Sequence, residues 1–204
     1  MNYLKLPVLL FLILFTSCRK GDDIRIAEKN KPYVMEDIQW VLKEGDGQKI
    51  LEIKHPDELV TNNGSGLIHV TFNPLKNMEG SSHFQFELPE GLSLNQDSLL
   101  KLVSVPAHIE LLSDNYAHIG GGTKVPFRRE ESSFPFSFKS EESFEVTPKT
   151  QINYQSTVFL RKNTATFKAR FVQPVTKERF ELTGKWTGTF YESVHTNAVV
   201  DDLD

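Results

Sequence analysis

The sequence predicts an all-β fold, an elongated twisted antiparallel sheet or β-sandwich, preceded by a signal peptide and a short tether. Three observations predict it. Fifteen Phe against three Met and five Tyr skew the large apolar residues toward strand formers. Apolar and polar residues alternate with period two over much of the chain after Gln48. Turn clusters, of which Thr61-Asn62-Asn63-Gly64-Ser65-Gly66 is the densest, separate the alternating runs. At 39% hydrophobic and 25% charged residues, a chain of 204 residues has the composition of a folded domain rather than a disordered one.

Taken in order, Tyr33 to Lys43 fits two templates. Met35, Ile38, Val41 and Leu42 recur at helical spacing, while Ile38, Trp40 and Leu42 alternate as in a strand. Ile50, Leu51 and Ile53 form a short run closed by His55-Pro56-Asp57. Ile68, Val70 and Phe72 alternate with His69 and Thr71, and Phe84, Phe86 and Leu88 alternate with His83, Gln85 and Glu87. These two runs are expected to be antiparallel neighbours, half-buried. Leu99 to Val105 and Ile109 to Leu112 are shorter apolar runs divided by Pro106. Pro135, set among Phe134, Phe136 and Phe138, marks an edge strand or a bulge. Ile152, Tyr154, Ser156, Val158 and Leu160 share one face; Ala165, Phe167, Ala169 and Phe171 share another, and a turn at Asn163 is expected between them. Gln173-Pro174 closes that strand, and Phe180, Leu182, Trp186 and Phe190 are assigned to a final hairpin around Gly184. The resulting layout is a signal peptide at 1–17, Cys18 and a tether at 18–32, an all-β domain at 33–195, and an acidic tail at 196–204 that is expected to fray.

The N-terminus carries an address. Lys5 precedes an apolar run from Val8 to Phe15, shorter than the about 20 residues of a bilayer-spanning helix. Leu14-Phe15-Thr16-Ser17-Cys18 resembles the lipobox of bacterial lipoproteins, with Phe15 bulkier than the usual Leu. That resemblance implies that Cys18 becomes the lipidated first residue of the mature chain. An ordinary secretory signal, or a short membrane anchor with an incidental Cys18, is the alternative. Lipid chains anchor by about 0.8 kcal/mol per buried CH₂, so two or three of them hold a protein at a membrane. Removing residues 1–17 deletes Lys5, which leaves 22 basic against 27 acidic side chains, or −5. Lipid rather than basic residues must therefore attach the protein. The expected location is the outer membrane. The Asp22-Asp23 pair beside Cys18 resembles the export signals of surface-displayed lipoproteins.

The remaining sequence excludes more chemistry than it suggests. A single Cys rules out an internal disulfide framework and a multi-thiolate zinc site. A formal charge of −4 argues against a nucleic-acid partner. His55, His69, His83, His108, His118 and His195 form no H-E-x-x-H or H-x-H pair. His69 and His83 share the polar phase of their runs and would meet across a hairpin, as metal ligands or as two solvent-facing histidines. Gly64-Ser65-Gly66 lacks the strand-turn-helix setting of a nucleophile elbow. Gly120-Gly121-Gly122-Thr123-Lys124 lacks the spacing of a phosphate loop and reads as a turn. Glu130-Glu131 and Glu141-Glu142 are adjacent strand residues, which face opposite ways and do not form an acid/base pair. Neither a metal nor a cofactor is expected, and the chain is not expected to be an enzyme.

One longer pattern carries a resemblance. Ser143-Phe144-Glu145-Val146-Thr147-Pro148-Lys149-Thr150-Gln151-Ile152, then Phe167-Lys168-Ala169-Arg170-Phe171, then Gly184-Lys185-Trp186-Thr187-Gly188-Thr189-Phe190 resemble the closing part of the aerolysin-like toxin family, in its epsilon-toxin and mosquitocidal-toxin branch. Thr61-Asn62-Asn63 before alternating strands is similar to that family's first half. The resemblance implies an elongated antiparallel β protein and, in the family, a hairpin that joins others in an oligomeric membrane barrel. Such a hairpin needs two strands of about nine to eleven Pro-free residues. Pro106, Pro126 and Pro135 interrupt the stretch between Gly91 and Glu142, and Pro74 shortens the one from Leu67 to Leu88. The expected function is a lipid-anchored envelope protein with a non-catalytic β module that binds a protein or glycan. The alternative is a membrane-active protein that homo-oligomerises on target membranes.

Overall fold

The computed structural model describes residues 32–113, 116–136 and 140–203. Its frame is one antiparallel pair of great length. Strand β12, Thr150–Val172, pairs with β13, Arg179–Asp202, from Thr150↔Asp202 to Val172↔Arg179. At about 3.3 Å per residue this ribbon runs roughly 70 Å. The turn that joins them is organised by Gln173, whose fully buried side-chain oxygen accepts the amides of Val175 and Thr176.

Three consecutive strands tile the free edge of β12. Strand β1, Val34–Val41, covers its turn end from Val172 to Thr166. Strand β2, Gly47–Lys54, takes Thr164 to Thr157, and β3, Glu58–Asn62, takes Tyr154 to Thr150. On the other side, β5, Glu79–Gln85, pairs with β13 across Lys185 to Thr189, and β10, Ser132–Pro135, pairs with β5 at the sheet edge. Pro135 thus stands on an edge strand, where a missing amide costs no ladder bond. Three two-stranded sheets complete the described residues. They are β4, Ile68–Phe72, with β11, Glu142–Val146; β6, Leu102–Ser104, with β9, Lys124–Pro126; and β7, His108–Ser113, with β8, Tyr116–Gly120. A single helical turn, Gln96–Leu99, is capped by Asn95. The all-β expectation is met, and of the two templates for residues 33–43 the strand is the one adopted.

The core changes face along the ribbon. Ile152, Tyr154, Ser156, Val158 and Leu160 are buried on one face of β12, whereas Ala165, Phe167, Ala169 and Phe171 are buried on the other. Both register shifts insert the extra residue in a partner strand, Glu36 in β1 and Glu192 in β13, so β12 itself keeps strict alternation. The main core packs Val103, Val105, Ile109, Val125 and Phe127 against the second face, together with Trp186, Phe84 and Phe167. Phe72 and Val146 cover Ile152 and Tyr154 on the first face, and Leu75 covers Val158 and Leu160. Four expectations are corrected here. The phase change at Asn163 is this exchange of faces, with no turn, because Asn163 pairs with Gly188 and Gln48 inside continuous ladders. The final hairpin turns at Gln173 to Glu178, and Gly184 lies in mid-strand opposite Phe167. The tail does not fray, since residues 196–202 complete β13 and Leu203 donates its amide to the carbonyl of Lys149. Strands β4 and β5 are not neighbours; they belong to different sheets, held by β11 and β13 respectively.

Candidate functional site

A groove of about 770 Å³ opens at the end of β5, lined by residues of the sheet face opposite the main core and by Phe84 and Phe86 of the core's margin. Register places its floor. Thr166, Lys185 and Gln85 stand in one cross-strand row, flanked by the Lys168/Thr183 row and by the row of Thr164, Thr187 and His83. Alternation sends Ala165, Phe167 and Trp186 to the core and their polar neighbours to the other face, where Thr166 is buried. The chain comes close enough to make the groove because residue 184 is Gly. A Cβ there would stand 2.4 Å from the carbonyl oxygen of Gln85 and 2.5 Å from the Phe167 ring.

Asp46 lies behind the lining and is bonded to three of its residues, Lys43, Thr166 and Lys185. It sits in the β1–β2 turn between Gly45 and Gly47, whose φ values of +82° and +138° favour glycine. Its side chain is fully buried and accepts the amides of Lys43 (2.9 Å) and Thr166 (2.8 Å), the Thr166 hydroxyl (2.7 Å) and the Lys185 ammonium. Burial opposes ionisation of this carboxyl, but the hydrogen bonds from Lys185, Thr166 and Lys43 outweigh it and hold its pKa below the ordinary value. Lys185 is thereby fixed over the floor, with its side chain 40% exposed.

Arg129 also lines the groove. Its guanidinium carbon lies 4.8 Å from the centroid of the Phe86 ring, and Phe86 stacks in turn on Phe127 at 5.0 Å and 14°. The buried Phe127 therefore anchors a cation at the surface. Lys43 and Glu87 complete the lining. Among the described residues, the side chains of Lys43 and Arg129 have no carboxylate within ion-pair distance. The arrangement can hold an anionic or hydroxyl-rich ligand by charge-assisted hydrogen bonds.

Of the residues singled out in the sequence, Cys18 lies outside the described residues. His69 and His83 do not meet. His69 lies 3.8 Å from Glu145 on an exposed strand pair, while His83 lines the groove. No group of three His, Cys, Asp or Glu side chains able to hold a metal ion occurs among the described residues. Gly64-Ser65-Gly66 is a loop tied by Asn62, which donates to Gly66 O (2.8 Å) and accepts from the Gly64 amide (3.0 Å). Gly122 lets the chain pass Val105, whose carbonyl oxygen would be 2.4 Å from a Cβ. Glu130-Glu131 lie between strands, and Glu142 accepts from the Thr196 hydroxyl at 2.9 Å. Lys43 and Asp46 of the β1–β2 turn, Arg129 and Lys185 escaped sequence reasoning because they are brought together from three distant parts of the chain. The one local signal was Gly45-Asp46-Gly47, a turn sequence with a carboxylate at its centre.

No family model matches the chain, and no curated protein matches it in sequence. The chain is similar to several solved structures. With the lamprey immune protein it shares 12% identity at a TM-score of 0.49, over 84% of this chain and 54% of that one. With an aerolysin-like protein of Bombina maxima the values are 11%, 0.39, 82% and 98%. With parasporin-2, a Bacillus thuringiensis toxin that recognises cancer cells, they are 12%, 0.37, 83% and 74%. The chain thus spans about half the length of the lamprey protein, and these likenesses concern the fold alone.

Proposed function

We propose that this protein is a lipid-anchored binding module of the outer membrane, held through Cys18 and capturing its ligand without chemistry. The observation that carries the reading is the groove at the end of β5, where Asp46 fixes Lys185 and Phe86 seats Arg129 before any ligand arrives. Pre-organised polar groups favour capture, because less side-chain freedom is lost on binding. The lipid anchor is supported by Cys18, which is the single cysteine of the chain and follows an apolar run of signal length. Among the described residues no helix is long and apolar enough to cross a membrane. Membrane insertion by the β7–β8 hairpin has less support. The β7–β8 hairpin offers strands of six and five residues, short of the about nine to eleven that a spanning strand needs.

Two measurements test the reading. Cells fed an alkyne-tagged fatty acid should label the protein and retain it in the membrane fraction, and Cys18→Ala should abolish both; retention unchanged by that substitution removes the anchor. The purified chain, applied to an array of envelope glycans and proteins, should bind a defined set without altering it. Turnover of any bound compound would replace the binding reading with an enzymatic one.

A further inference from the structure

We infer that the groove at the end of β5 recognises a carboxylate-bearing glycan, with Arg129 as the fork that grips the carboxylate; this rests on the binding reading above. Charge is the first argument. The lining gathers Lys43, Lys185 and Arg129 against Glu87, on a chain whose formal net charge is −4, and Asp46 behind it is bonded to Lys185. A cationic concavity on an acidic protein focuses the field on anions. Asp46 is already saturated by four donors, one of them the Lys185 ammonium, while the Lys185 side chain stays 40% exposed.

The second argument is the geometry of Arg129. A guanidinium placed over the Phe86 ring keeps its in-plane N–H edge available, and that planar fork matches a carboxylate through two parallel hydrogen bonds. Phe127 stacks on Phe86 as well, so the ring is already engaged by a cation and by a second ring. Lys43, with no carboxylate partner among the described residues, supplies a second point charge across the opening.

Size and polarity select a glycan as the carrier of the carboxylate. About 770 Å³ falls within the roughly 300–1,000 Å³ of ligand-sized sites and far exceeds one charged group. Thr183, Gln85 and His83 bring hydroxyl, amide and imidazole groups to the lining. None of the exposed large aliphatic side chains lines the groove, whose apolar surface comes from Phe84 and Phe86.

Calorimetry on the full-length chain in detergent tests this with three probes: an oligogalacturonate, its fully methyl-esterified form, and vesicles containing phosphatidylglycerol. The oligogalacturonate should bind with an affinity that falls as salt rises, and Arg129→Lys should weaken it about ten- to a hundredfold, since that variant keeps the charge and loses the fork. Lys43→Ala should weaken it less. Tryptophan fluorescence confirms folding of each variant, because Trp40 and Trp186 both lie in the main core. Equal binding of the methyl ester overturns the carboxylate inference while leaving a glycan-binding module intact. Binding of neither oligosaccharide, or Arg129-dependent binding of the vesicles alone, also overturns it.

Discussion

Phe72 of β4 and Tyr154 of β12 lie face to face, with ring centroids 4.2 Å apart and planes 2° from parallel. Phe144 closes the cluster at 5.9 and 6.0 Å from the two rings. This cluster fastens the β4–β11 pair to the far end of the ribbon, away from the main core. Phe72→Ala should cost about 3–5 kcal/mol locally. Hydrogen exchange should accelerate in residues 68–72 and 142–146 while tryptophan fluorescence holds. A simultaneous loss of both signals would show that the two cores melt as one unit.

The same tyrosine makes the far end sensitive to alkali. Burial, then the charges of Glu142 and Glu58, push the Tyr154 hydroxyl up to about 12. A pKa raised in the folded state means stability that is whole below pH 10 and lost as pH climbs through about 12. Denaturant midpoints for Tyr154→Phe and the parent chain should therefore differ between pH 10 and 12, with the parent falling faster. Parallel curves over that range would refute the assignment.

Asp46 predicts the opposite limb. Its pKa lies below the ordinary 3.8, so its contribution is whole above that value and disappears as pH falls through the lower folded one. Asp46→Asn should destabilise the neutral protein by about 1–3 kcal/mol by leaving buried donors poorly matched. The deficit relative to the parent should shrink in acid below pH 4. A deficit independent of pH would mean that packing, not charge, holds the turn.

Gly184→Ala tests the close approach behind the groove. The added methyl meets a backbone carbonyl and the Phe167 ring, neither of which is a flexible side-chain end. A loss of about 1–3 kcal/mol is expected. Gly45→Ala instead has open space but a left-handed φ, so it should be strained through the backbone alone. Thermal melts that left both variants at the parent midpoint would remove both arguments.

Much of the fold was legible in the sequence because period-two alternation encodes burial directly. The two sets Ile152 to Leu160 and Ala165 to Phe171 were read with the faces they occupy. Their junction was misread because an ordinary strand has about five or six residues, and a shift of phase is usually a turn. Here the strand is four times longer, and the phase shift records a core that passes from one side of the sheet to the other. Which strands would pair was not legible, since β4 and β5 alternate alike yet join different partners. The groove was hidden for the same reason. Register across β12, β13 and β5 assembles it, and no local spacing records that register.

The exchange of faces near Asn163 gives the ribbon a mechanical character. Pulled along its length, it loads the β12–β13 ladder in shear, many bonds at once. Bent sideways, it meets packing on one side in one half and on the other side in the other half.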